Sequence, residues 1–137
     1  MSVRPATPEL ERFVRDRLGC TCPAEVFEQV DDAPSETSRA AGIAQRLAIG
    51  GRLLVYLAEA DDAHDALAKL PQWVSAGLTE RDRMHMNRLR LAIVLRQADE
   101  DASAALQSAF QALRARTDER VHLHVMDPAS AAVLRQT

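Results

Sequence analysis

Two cysteines one residue apart, Cys20 and Cys22 in the stretch RLGCTCPAEVF, are the only thiols of a 137-residue chain. A pair at this spacing can cycle between dithiol and disulfide, bind a soft metal such as zinc or copper(I), or fill space as small apolar groups. In an extended Cys-x-Cys the Cα atoms lie about 6 to 7 Å apart and the side chains point to opposite sides, so a bridge would need local distortion and would reduce easily. Pro23 and Glu25 follow as a helix-start pattern with Cys22 in the cap position, where free N–H groups and the helix dipole favour a thiolate. As a redox pair, Cys22 is expected to attack and Cys20 to resolve.

A metal needs more ligands. His122 and His124 in VHLHVM stand two apart on an expected strand and project to one side. With Cys20 and Cys22 they make a Cys2His2 set suited to zinc or copper(I), on condition that the amino-terminal elbow lies against that face. The plainer alternative is a pair of histidines on a half-exposed edge strand. MHM at 84–86 reads as packing. The run ERDRMHMNRLR carries Arg81, Arg83, Arg88 and Arg90 beside Glu80 and Asp82, without an aromatic to stack bases, and reads as a solvated face. Asp61, Asp62, His64 and Asp65 form an acidic cluster that a helix start explains by itself. The chain has no Gly-rich phosphate loop and no G-x-S-x-G nucleophile motif.

With a formal net charge of -3, the chain carries no field that would draw it to phosphate backbones or anionic membranes, so neither nucleic acid nor membrane is expected as a partner. LLVYLA at 53–58 and LAIVL at 91–95 are far shorter than the roughly 20 residues that span a bilayer. The start MSVRPATPEL shows no apolar signal region, and a cytoplasmic location is expected. There two cysteines stay as thiols, bind metal or cycle more often than they form a structural bridge.

The elements that must position these residues follow from periodicity and caps. Thr7, Pro8 and Glu9 open a helix that buries Leu10, Phe13, Val14 and Leu18 and stops at Gly19. A second short helix runs to about Val30, burying Val26 and Phe27. Residues 31–42 read as a loop. Gly50-Gly51 between two apolar runs predicts a two-residue hairpin that pairs Leu47 with Leu54 and Gln45 with Tyr56. The second strand is apolar on both faces and belongs inside a sheet; the first, with Gln45 and Arg46, reads as an edge. Asp61 and Asp62 open a helix interrupted or kinked at Pro71 and ending near Gly77, with Thr79 capping a further turn or two. Alternation predicts strands over 89–95 and 121–126, the helix from Asp99 to Leu113 lies between them, and Asp127-Pro128 starts a terminal helix.

Together these predict one domain over 1–137, with a helical segment over 1–30 and an α/β core over 43–137. The class is α/β, with α+β as the alternative: a mixed four-stranded sheet whose last three strands are parallel through helical crossovers. If the crossover helices cover Leu89, Leu91, Val121 and Leu123, the opposite face shows Arg90, Val94, Arg96, His122, His124 and Met126. The amino-terminal helices or a second subunit would cover it. The segment FVRDRLGCTCPAEVFE, residues 13–28, resembles the opening of a group of small, uncharacterised prokaryotic proteins with an L-G-C-x-C-P-x-E-V-F element. The resemblance marks Gly19, Cys20, Cys22, Pro23, Glu25, Val26 and Phe27 and implies no activity. The functional expectation is a small binding or accessory protein using the Cys-x-Cys elbow for a soft metal or a metal-centre partner. Its alternatives are an enzyme, a thiol oxidoreductase, or a homodimerising domain with the cysteines as packing.

Overall fold

The computed structural model describes residues 3–114 and 120–135. All its strands join one mixed six-stranded sheet in chain order: β1 (Val3–Arg4), β2 (Val30–Asp31), β3 (Gln45–Ile49), β4 (Leu53–Ala60), β5 (Arg88–Leu95) and β6 (Val121–Met126). The pairs from β1 to β4 are antiparallel, and β4, β5 and β6 run parallel, as the helical crossovers require. Helix α1 is Pro8–Asp16, α2 Glu36–Ala40, α3 Ala63–Arg83, α4 Glu100–Arg114 and α5 Pro128–Arg135, and a 3-10 turn spans Ala24–Glu28.

The helix starts lie where side-chain oxygens can take up free N–H groups. Thr7 Oγ1 accepts from the Leu10 N–H at 3.1 Å, Asp62 from Asp65 at 2.8 Å, Asp99 from Ala102 at 2.8 Å and Asp127 from Ser130 at 2.7 Å. Each sheet face has its own core. Leu54, Tyr56, Leu89, Leu91, Ile93, Val121 and Leu123 pack under α3 and α4 through Leu70, Trp73, Leu106 and Phe110. On the other face Leu53, Val55, Leu57, Ala92, Val94 and Met126 pack under α1, the 3-10 turn and α5. Much of the face reserved for amino-terminal helices or a second subunit is therefore covered from within the chain, with Arg96 and His122 left exposed on it.

Five features depart from the sequence reading. The sheet has six strands, not four, because β1 and β2 are two residues long and too short to show alternation. β2 pairs with β3 at Ala48 and Ile49, so β3 is not the outermost strand of the sheet, although Gln45 and Arg46 lie beyond that pairing. The hairpin connection is Gly50, Gly51 and Arg52, one residue longer than expected; both glycines have φ above +60°, and Leu47 faces Val55 while Gln45 faces Leu57. Helix α3 runs unbroken through Pro71 and Gly77. Gly77 does not stop it; a Cβ there would lie 2.7 Å from Leu89 Cδ2, so the glycine lets α3 approach β5 closely. Likewise, Ser35 and Ser38 form a capping box that makes α2 out of part of the expected loop.

Candidate functional site

The elbow is built by three anchors. Gly19, at φ +68°, turns the chain out of α1, and the Cys20 N–H reaches back to the Val14 carbonyl at 3.2 Å. The 3-10 turn that follows is seated on the hairpin: the Gly50 N–H donates to Gln29 O at 2.7 Å, and the backbone of Val26 occupies the space a Cβ on Gly50 would need. Arg90 closes the far side, its Nε donating to Leu18 O at 2.7 Å and its Nη1 to Arg120 O at 3.1 Å. The glycine pair thus has a second duty that turn chemistry alone does not reveal.

Between these anchors Cys20 and Cys22 come to bonding distance, their Cα atoms 5.4 Å apart. That lies within the ordinary range for a bridge, so the expectation of an extended segment with opposed side chains is corrected: the elbow bends. Both residues are buried. The Cys22 N–H donates to Cys20 Sγ at 3.3 Å, and Arg88 Nη1 lies 3.9 Å from the same sulfur. Cys22 instead lines a crevice of about 70 Å³ with Thr21, Pro23, Arg52, Asn87 and Arg88. Arg52 belongs there because its carbonyl accepts from both the Asn87 and Arg88 N–H groups, each at 2.9 Å. Cys22 precedes Pro23, which is the cap of the five-residue 3-10 turn, so the expected helix cap on Cys22 is absent. Glu25 is exposed in that turn, whereas Phe27 is buried with the Arg15 guanidinium 4.9 Å above its ring.

The chain has no match among family models, curated proteins or solved structures. Geometry alone must carry the reading.

The histidines are not brought to the cysteines. Among the described residues no group of three or more His, Cys, Asp or Glu is placed to hold a metal ion, so Cys20, Cys22, His122 and His124 form no zinc or copper set here. The elbow lies against the start of β5 and its arginines, whereas His122 is exposed on β6. His124 is half-buried against the Leu18 backbone, and its Nε2 is enclosed with no hydrogen-bond partner among the described residues. Burial first, then the charges of Arg90, His122 and Arg17, push its pKa down to about 4. A neutral imidazole beside Arg90 is a spacer between cations. Arg90 itself is lowered to about 10 by burial and by Arg88, and stays charged at neutral pH.

A second polar site went unseen in the sequence. Under α3, Glu80 accepts from Ser35 Oγ and Tyr56 Oη, both at 2.6 Å, and from Arg46 Nε. Arg46 Nη1 also reaches Ala33 O at 2.9 Å and Asp31 Oδ2 at 3.4 Å. Burial works to raise the Glu80 pKa, but the Ser35, Tyr56 and Arg46 hydrogen bonds and the Arg46 charge outweigh it and hold the carboxyl low. Burial and Glu80 push the Tyr56 phenol up. Glu80 and Arg46 had read as surface and edge positions. The available signal was that both faces of β4 are apolar, which requires cover over Tyr56 and a partner for its hydroxyl.

Proposed function

We propose that the chain is a thiol–disulfide exchange module whose site is the Cys20/Cys22 elbow. The observation that carries this is the convergence of a backbone N–H and the Arg88 guanidinium on Cys20 Sγ, while Cys22 faces the crevice. A partner thiolate arriving through the crevice attacks Cys22 Sγ. The Cys20–Cys22 bond breaks and its electron pair leaves on Cys20, where the N–H and the guanidinium stabilise the thiolate. A second partner thiolate then attacks the partner sulfur of the mixed disulfide, releasing Cys22 as thiolate and a partner disulfide. Two electrons have entered the protein, and the reverse sequence reduces a partner disulfide. Cys22 carries the mixed disulfide in both directions and Cys20 resolves it.

A structural staple explains the pair less well. A bridge closing three residues removes chain entropy worth only about 1.6 kcal/mol, against about 3 kcal/mol for a 15-residue loop. A cytosolic setting, where bridges are mostly transient, fits cycling. The soft-metal alternative finds no third and fourth ligands among the described residues and would place a cation beside Arg88.

The test is a thiol count on protein equilibrated in glutathione buffers of graded potential, joined to trapping with an aromatic disulfide reagent. Wild type is expected to pass from two thiols to none within the cellular range. Cys20→Ser should hold a stable mixed disulfide on Cys22, with Cys22→Ser labelling at least tenfold more slowly. A pair that stays dithiol or stays bridged across the whole range removes the reading.

A further inference from the structure

The crevice on Cys22 has a chemical character of its own. Among the described residues its lining includes two arginines, Arg52 and Arg88, together with Asn87 and Thr21, and no acidic residue. Arg52 is exposed and has no carboxylate partner among the described residues, and Arg88 is turned to the Cys20 sulfur. Behind them Arg90 is buried and hydrogen-bonded to carbonyls of Leu18, Leu89 and Arg120, with no carboxylate partner among the described residues. The chain as a whole is negative, at -3, so this concentration of positive charge is local. A crevice of about 70 Å³ admits the end of one thiol-bearing arm and no folded surface.

Resting on the thiol–disulfide reading, we infer that the exchange partner of Cys22 is an anionic thiol, a small thiol or flexible peptide carrying a carboxylate close to its sulfur. The attacking sulfur is itself negative, and the partner's carboxylate falls to Arg52 at the mouth while Arg88 receives the charge that develops on Cys20. Two guanidinium groups give the pair of negative charges two separate counter-charges, and an ammonium-bearing thiol would meet repulsion at the same place. Attraction of this kind acts on encounter and is screened by salt.

The experiment compares mercaptoacetate, 2-mercaptoethanol and cysteamine as reductants of the oxidised full-length chain, with rates taken per thiolate and corrected for intrinsic nucleophilicity. Mercaptoacetate is expected to react about tenfold faster than cysteamine at low ionic strength, with the ratio shrinking towards unity at 1 M salt. In Arg52→Gln the mercaptoacetate to 2-mercaptoethanol ratio should fall about threefold, and Arg88→Gln should lower it as well as slowing all three thiols. Equal corrected rates in wild type, or a mercaptoacetate to 2-mercaptoethanol ratio that Arg52→Gln leaves unchanged, overturns the anionic preference while exchange at Cys22 stands. Failure of every thiol to open the bridge in the folded protein overturns the exchange reading itself, and the preference with it.

Discussion

The two faces of the sheet bury charge in opposite ways. Under α3, Arg46 meets Glu80 and, at longer range, Asp31, and the carboxylate is further satisfied by Tyr56 and Ser35. Beneath the elbow, Arg90 meets backbone carbonyls and Arg88 meets a sulfur, with His124 held neutral between cations. A matched and fully hydrogen-bonded network has nothing left to offer a ligand, and it fixes how α2, α3, β3 and β4 sit together. An unmatched set of cations keeps its field, and here that field falls on a reactive pair. Burial of charge alone therefore does not mark a site; burial without a counter-charge, beside chemistry, does.

The sharpest way to break this contrast is to remove the match. Glu80→Gln keeps the shape and leaves Arg46 buried with the Ala33 carbonyl and, for counter-charge among the described residues, the longer contact to Asp31, so the protein should lose about 3 to 5 kcal/mol of unfolding free energy in urea. Reduction of the Cys20/Cys22 bridge in the still-folded variant should proceed at the wild-type rate. A loss below about 1 kcal/mol would mean that the network does not hold the fold. Tyr56→Phe leaves Glu80 its other partners and should cost about 1 kcal/mol.

The unmatched side responds to acid. In the unfolded chain His124 titrates near its ordinary 6.5, but in the fold its pKa is pushed down to about 4. Between these values the unfolded state takes up a proton that the folded state refuses, so stability falls as pH drops from about 6.5 to about 4 and this contribution levels off below. The full difference corresponds to about 3 kcal/mol. Urea denaturation at a series of pH values should show that slope in wild type and lose most of it in His124→Gln; an unchanged slope would assign the acid sensitivity elsewhere.

How much of this was legible in the sequence depended on whether a feature is local. The four longer strands and the caps at Thr7, Asp62, Asp99 and Asp127 follow from alternation and from neighbours within a turn, and they were readable. Pro71 and Gly77 misled because their local meaning, breaking a helix, is overridden by packing: α3 continues because its Ala66, Leu70, Trp73 and Val74 stripe is buried on the sheet. Of the site, Cys20, Cys22, Gly19 and Pro23 were legible by type and spacing. Arg52 and Arg88 were not, since they reach the elbow through the hairpin turn and the start of β5, and Arg88 sat in a run that reads as solvated. The histidines were over-read for the same reason, as strand alternation tells which way a side chain points and nothing of what lies opposite.

Two smaller effects separate a staple from a reacting pair. Reducing the Cys20–Cys22 bridge in wild type should lower stability by no more than about 1.6 kcal/mol, the chain-entropy limit for so short a loop. A loss of several kcal/mol would place the bridge among the fold's supports and weaken the contrast between the two faces.

Arg88→Gln should be quieter still in stability and more telling in chemistry. The side chain is half-buried and, among the described residues, touches a sulfur and no carboxylate, so its removal should shift unfolding by less than about 1 kcal/mol. The reduced variant should nevertheless become reactive at Cys20 only at a higher pH than wild type, because a thiolate loses the opposite charge that favours it. Measuring alkylation of Cys20 against pH in a Cys22→Ser background isolates that sulfur from its partner. If the curve does not move, the guanidinium is packing, and the positive side of the sheet is as inert as the matched one. If it moves while the melt does not, the arginine acts on the sulfur and not on the fold, a separation that a purely structural contact does not produce.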